Sequence, residues 1–385
     1  MNKTVYILGA GFSMNSGAPS QAGIIKEIYD LNKANFTEKQ KKIVNSWITV
    51  FDKFLKDSLC ISDDLKYNYT LEDIYTPIDK ALAESTSFRD YVYSDLISIR
   101  DIFNRLIILA IRNSIDRRKA DKYPIEHFAK HIVDLSRNRL TDEKNDAVSV
   151  ITTNWDIILD NKVYKIIQED DKPKGQKFAG VVDYCCYISS IAENDETVKP
   201  GLYAIGKGCY NVKILKLHGS LNWLQCPKCH RLYTKFFRSW NGGYVFSNMY
   251  CRHCERNFGS TKIASHKLNT NLITPTFLKN LNNIQNKLIW QNAGIELAEA
   301  SKVVFMGYSL PHADYEFKQL LAKMIRTNAK IEVILTDNDN PKNYTPALTP
   351  LTAGYRYENF FSGRTINISY NGINSFINKI PVNSK

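Results

Sequence analysis

The sequence predicts an α/β fold: a doubly wound, Rossmann-like parallel sheet carrying a helical insertion and a small cysteine-rich module. Three observations lead there. Residues 3–9 (KTVYILG) are apolar after their first two positions and run through a glycine turn into a helical segment, the opening unit of such a sheet. Strand-like and helix-like segments alternate again after residue 270, as parallel strands with covering helices require. Between these halves stand two CxxC pairs.

In order, the first strand covers 3–9 and the first helix about 20–31. Residues 37–145 read as an inserted helical layer. Its clearest element is SDLISIRDIFNRLIILAIRNSIDRR, where Leu96, Ile99, Phe103, Leu106, Ile107 and Ala110 share one helical face. Strands follow at VSVITTN (148–154) and VKILKLHG (212–219), then the cysteine module at 226–254. After NLITPTF come a helix near 283–300, the strand KVVFMG (302–307), a helix near 313–328 and the strand IEVILTD (331–337). Residues beyond 340 hold Asn, Gly and Pro turns with short apolar runs. No internal repeat and no long linker divides the chain. The expected domains are 1–36 with 146–225 and 255–385 for the sheet, 37–145 for the insertion and 226–254 for the module.

The 385 residues are 44% hydrophobic and 23% charged, a balance that excludes a disulfide-stapled miniprotein or a low-complexity chain. The longest strongly apolar run, Leu106 to Ile111, is far short of the ~20 residues of a membrane span. Glycines break the apolar opening MNKTVYILGAGFS and no small-residue cleavage site follows, so the expected compartment is the cytoplasm. Lys and Arg number 51 against 39 Asp and Glu, a net +12. That excess suits an anionic partner, or is a generically basic surface. The densest basic cluster, Arg112 to Lys122, also holds Asp116 and Asp121 and reads as an exposed helix end.

Four of the eight cysteines form the pairs Cys226/Cys229 and Cys251/Cys254, with 21 residues between the pairs. Each CxxC turn aims two thiolates at one tetrahedral ion, so the spacing reads as a four-cysteine zinc ribbon. Four sulfurs leave no open position, and the Zn2+ is therefore structural. A redox-active CxxC is the competing reading. His230 and His253 stand close enough in sequence to be alternative ligands. Cys60, Cys185, Cys186 and Cys209 show no metal spacing and read as idle thiols.

Four segments carry candidate chemistry, each at the carboxyl end of an expected strand. Gly9, Ala10, Gly11, Phe12 and Ser13 form a glycine turn of the kind that admits a phosphate, or a tight turn with no ligand. It departs from the GxGxxG fingerprint, since Met14 takes the last glycine's place. Thr152, Thr153, Asn154, Trp155 and Asp156 bring polar side chains to a strand end, although Asn154 and Asp156 equally suit a helix cap. His218 in LHGS can exchange protons near neutral pH, or be a structural histidine. Gly307 and Ser309 in GYSLP can face a phosphate, or make an ordinary turn. In a parallel sheet these ends lie together, and the conjunction outweighs any member.

GAGFSMNSGAP, TTNWD, LHGS, the two CxxC pairs and GYSLP stand in the order of the sirtuin family of NAD-consuming enzymes, which the chain resembles over most of its length outside the helical insertion. The resemblance implies a sirtuin-like fold, NAD as substrate and a structural Zn2+ on Cys226, Cys229, Cys251 and Cys254. It places Gly9, Ala10, Gly11 and Ser13 at the pyrophosphate and Gly307 and Ser309 at a phosphate. Asp337, with Asn338, matches the adenosine ribose site loosely. Thr153 and Asn154 fall at the nicotinamide ribose, where Asn154 would position the ribose or a water, Asp156 at the carboxamide, and His218 at the ribose hydroxyls as general base.

The departures from that family point further. Ser20, Gln21 and Ala22 stand where sirtuin deacylases carry Asp-Phe-Arg, whose phenylalanine shields the reactive sugar carbon from water. The Phe-Gly-Glu segment that pairs with an acyl-lysine peptide is missing, and NLITPTFLKN occupies its region. TTN replaces TQN. The pattern resembles bacterial sirtuin-like NADases of anti-phage defence. It implies NAD hydrolysis to nicotinamide and ADP-ribose, gated by homo-oligomer assembly or by a separate HerA-type ATPase or sensor. Nucleic acid enters only indirectly and no membrane is involved. A protein deacylase, an ADP-ribosyltransferase and a non-catalytic nucleotide- or nucleic-acid-binding module are the alternatives.

Overall fold

The computed structural model describes residues 2–118, 123–191, 198–234, 243–258, 264–276, 279 and 281–382. In chain order the strands are β1 (Thr4–Leu8), β2 (Val148–Thr152), β3 (Gly180–Asp183), β4 (Ser189–Ser190), β5 (Tyr210–Lys216), β6 (Gly219–Gln225), β7 (Leu232–Thr234), β8 (Asn269–Leu272), β9 (Lys302–Met306), β10 (Lys330–Ile334) and β11 (Ile366–Ser369). Seven of them make one sheet in the order β11-β10-β9-β1-β2-β5-β3, and every pairing in it is parallel. The fold is the expected α/β sheet.

β1 pairs with β2 on one side (Thr4 with Val148) and with β9 on the other (Thr4 with Lys302). Val5, Ile7, Ile151, Val303, Val304 and Phe305 are fully buried, which is why these strands read as continuous apolar runs rather than alternating ones. From β1 the chain first crosses to β2 and later returns to β9 on the opposite flank. The carboxyl ends of β1 and β9 therefore flank a topological switch point, where open α/β sheets leave a crevice. β3 and β11 extend the sheet beyond the five expected strands. Each is four residues long, too short to show a period in sequence.

A second core lies in the helical layer. The helix Tyr93–Arg117 buries Leu96, Ile99, Phe103, Leu106, Ile107 and Ala110, as its spacing requires. Ile24, Ile25 and Ile28 join this core, whereas Ile125, Phe128 and Ile132 of the helix Tyr123–Arg137 pack in the sheet's core. The layer thus starts before residue 37 and its last helix belongs to the sheet. In the basic run, Arg117 and Arg118 both reach the buried Glu27; its residues 119–122 lie outside the described residues. Among the described residues no helix is long and apolar enough to cross a membrane.

The amino edge of the sheet is closed by an ion network. Lys3 Nζ meets Glu296 at 2.6 Å, Glu299 at 2.7 Å and Asp146 at 2.8 Å, with its side chain 3% exposed. Lys213 bridges the same Asp146 and Glu296, and Arg139 also pairs with Asp146. Burial opposes the Lys3 ammonium, yet these carboxylates outweigh it and hold its pKa above the ordinary lysine range. Removing one partner from a buried network strands the others. Lys3→Met is therefore expected to cost about 3–5 kcal/mol in urea unfolding; a loss below about 1 kcal/mol would show that the network is dispensable.

Candidate functional site

Two turns meet at the switch point. Gly9 leads from β1 into a short helix, Ala10–Met14. Gly307 leaves β9 with φ +61°. The Gly11 N–H donates to Gly307 O at 2.9 Å. A Cβ on Gly9 would stand 2.4 Å from Tyr308 Cα, and one on Gly307 would stand 2.3 Å from Phe12 N. Only glycine permits this backbone-on-backbone contact. The glycines thus serve the approach of one turn to the other, and the Gly11 amide is already committed.

Above this contact a cleft of about 750 Å³ opens along the carboxyl edge of the sheet, a volume suited to a small-molecule ligand. Ala10, Gly11, Thr153, Asn154, Asp156, His218, Gly307 and Ser309 all line it. Residues from the ends of β1, β2, β5 and β9 therefore converge, as the parallel sheet requires. Gly9 and Ser13 lie behind this surface, both buried. Asp337 is exposed and outside the lining, while its neighbours Asn338 and Asp339 face the cleft. The lining includes Glu72, Asp156, Asp314 and Asp339 but neither Lys nor Arg among the described residues. The chain's net positive charge is thus spent elsewhere on its surface.

Asn154 is held from beneath. Its Nδ2 donates to Gly9 O at 2.8 Å and to Ser13 Oγ at 3.2 Å, which leaves Oδ1 as its uncommitted acceptor. Asp156 stands one residue before the N-cap, Ile157, of the helix Ile158–Glu169, and its Oδ1 accepts from Ile158 N at 3.0 Å. It also lines the cleft and bonds the Ser13 hydroxyl. Burial pushes its carboxyl above the ordinary range, against the pull of the Lys216 ammonium.

His218 is 5% exposed. Its ring bonds the Thr153 backbone, and its Nε2 lies 3.4 Å from Asp314 Oδ1 without hydrogen-bond geometry. Burial lowers its pKa below the usual histidine value, with Asp314 opposing and Lys279 assisting. The imidazole is therefore neutral at neutral pH. The backbone at His218 is clamped by Trp155, whose Nε1 donates to His218 O at 3.0 Å and to Ile273 O at 3.2 Å. The sequence singled out Trp155 within TTNWD but not its clamping role, and it did not point to Asp314 or Lys279, because only the fold brings these two to His218.

The cysteine module forms on the second sheet, ordered β4-β7-β6-β8. Cys226 follows β6, Cys229 precedes β7, and Cys251 and Cys254 stand at and inside the helix Arg252–Asn257. The four sulfurs lie within 4.8 Å of one another, with Cys226 to Cys254 at 3.7 Å and Cys229 to Cys251 at 3.6 Å. A tetrahedron with ~2.3 Å metal–sulfur bonds has edges of about 3.8 Å, whereas a disulfide needs ~2.05 Å. The donor set therefore fits one zinc ion and no disulfide. His230 and His253 stand aside, next to Gln225 and Asn257. Residues 235–242 of the intervening YTKFFRSWNGGYVF, and 277, 278 and 280 of NLITPTFLKN, lie outside the described residues.

No protein-family model matches the sequence, and no curated protein matches it. Solved structures with similar chains include a Sir2 homologue in complex with NAD, 14% identical, covering 98% of this chain and 87% of that one at a TM-score of 0.40. A mutant Sir2 homologue with ADP-ribose shares 14% identity over 98% and 90%, at 0.41. Sir2Tm bound to a propionylated peptide shares 13% over 98% and 91%, at 0.36. At this level of superposition the fold rests on the chain's own topology and register.

The sulfur geometry sets a measurable outcome. The purified chain should carry about one zinc, and Cys251→Ser should lose the metal and lower Tm. Metal analysis near zero with unchanged stability would contradict the site.

Proposed function

We propose that this chain is a sirtuin-like NAD glycohydrolase, which cleaves the nicotinamide–ribose bond with water. The observation that carries the reading is the convergence of Asn154, Asp156 and His218 on one cleft at the β1/β9 switch point. Five motifs scattered through the sequence in sirtuin order supply residues to that cleft or to the cysteine module beside it.

The chemistry suits these groups. The pyridinium of NAD is a cationic leaving group, so the bond breaks through an oxocarbenium-like sugar with little need of an acid. A cleft lined, among the described residues, by Glu72, Asp156, Asp314 and Asp339 and by no Lys or Arg favours positive charge at that sugar, although Lys279 pairs with Asp314 from behind. Asp156, its carboxyl raised by burial, holds the leaving amide. The free oxygen of Asn154 orients the water. That water's oxygen bonds the anomeric carbon, the C–N electron pair leaves with nicotinamide, and neutral His218 takes the proton.

Water is the acceptor in this reading because Ser20, Gln21 and Ala22 line the cleft where a deacylase carries its shielding phenylalanine. An unrestrained NADase would exhaust its host. The proposed role is accordingly NAD depletion in anti-phage defence, in the cytoplasm, gated by self-assembly or a separate ATPase or sensor partner.

Incubation with NAD, alone and with an acylated lysine peptide, tests the proposal by chromatography. Nicotinamide and ADP-ribose should appear without the peptide; release that needs it would identify a deacylase. His218→Ala and Asn154→Ala should each lower release at least about 100-fold while the fold persists. Because burial lowers the His218 pKa and the neutral form is the base, activity should persist at pH 7. Its acid limb should lie below the ordinary value of 6.5.

A further inference from the structure

Asp314 stands within GYSLPHAD, past the segment that the motifs single out, and lines the cleft beside His218. Both side chains are about equally buried, 6% and 5% exposed. Asp314 is fixed from several directions. Its Oδ2 accepts from Tyr308 OH at 2.9 Å, and its Oδ1 meets Lys279 Nζ at 3.2 Å. The Lys279 side chain is wholly buried. Its ammonium also donates to Ala313 O at 2.6 Å and Thr276 O at 3.3 Å, and contacts Glu316 at 3.2 Å. A carboxylate so held cannot swing away from the imidazole 3.4 Å from it.

The ring is anchored at one end only. The Thr153 backbone beside it favours the protonated form. Nε2 is buried without a hydrogen-bond partner. That orphan nitrogen is the one beside Asp314. At 3.4 Å the pair is too far apart for a good hydrogen bond. The carboxylate therefore acts on Nε2 through its field, in low-dielectric surroundings where Pro275 lines the cleft and the Trp290 ring lies 6.5 Å from the imidazole.

We propose that Asp314 is a positioning residue for His218, setting the base strength of its Nε2, with Lys279 as the opposing charge. Three charged groups face the ring. Asp314 and Glu316 favour its protonated form, and Lys279 disfavours it, as does burial. The turn after β9 thus contributes a glycine to the contact with β1, a serine to the cleft and the electrostatic partner of the histidine. The kinetic part of this inference rests on the proposed NADase reading; the electrostatic part does not.

Histidine NMR titration of the full chain without ligand separates the two parts, with the His218 signal assigned by its loss in His218→Ala. Removing the carboxylate in Asp314→Asn should lower the His218 pKa by about one unit or more. Removing the ammonium in Lys279→Met should raise it. Shifts of opposite sign are a signature that loss of packing does not produce. With NAD, Asp314→Asn should lower kcat about tenfold with KM within about threefold and move the acid limb to lower pH. Asp314→Glu should recover part of kcat. An unchanged His218 titration in both variants, or shifts of the same sign, would overturn the proposal. If either variant fails to fold, the direction seen in the other decides. If the parent protein releases no nicotinamide, the NADase reading fails and the titration alone judges Asp314.

Discussion

The contact between the Gly9–Gly11 turn and Gly307 is the constraint on which the rest of the site depends. Here two chain segments nearly 300 residues apart meet backbone to backbone, with the Gly11 amide bonded to the Gly307 carbonyl at 2.9 Å. Any side chain on Gly9 or Gly307 would push the turns apart. Their separation would move Gly9 O, which holds the amide of Asn154, and Tyr308, which holds Asp314. The glycines place the reactive groups, and the cleft exists because β1 and β9 end side by side.

The helical layer is tied to the same place. Its core includes Trp155 and Leu272 beside its own helices. Asp79 and Arg100 of that layer bond each other at 2.6 Å and both reach Thr274, at 2.8 and 3.3 Å. Thr274 follows Ile273, whose N–H donates to His218 O at 2.9 Å. A buried polar chain thus runs from the layer to the backbone of the histidine. Glu72 and Ile111 of the layer also wall the cleft.

Much of this was legible in the sequence, for physical reasons. A central parallel strand buries both faces, so β1, β2, β5, β9 and β10 announce themselves as apolar runs, and a residue one or two places beyond each run lines the cleft. Cysteine spacing exposed the metal site because a four-sulfur tetrahedron needs two tight turns. Edge strands were hidden: β11 is only half-buried and β3 is four residues long. The mixed sheet beneath the cysteines left little trace, because β4 and β7 are only two and three residues long and β6 follows β5 directly. The helix Tyr123–Arg137 carries the same periodicity as its neighbours while packing on the sheet, so periodicity alone does not tell which core a helix joins. Asp314 and Lys279 were out of reach, since their meaning lies wholly in their distance from His218.

The central claim is that one dinucleotide spans this cleft with its nicotinamide-bearing sugar between Asn154 and His218. A crystal structure of the His218→Ala chain soaked with NAD tests it most directly. The account requires the nicotinamide amide at Asp156, the adjoining ribose beside Asn154 Oδ1 and the vacated imidazole position, and the pyrophosphate over Ala10 and Gly11. Dinucleotide density elsewhere on the molecule, or a reversed dinucleotide with adenine at Asp156, would contradict it.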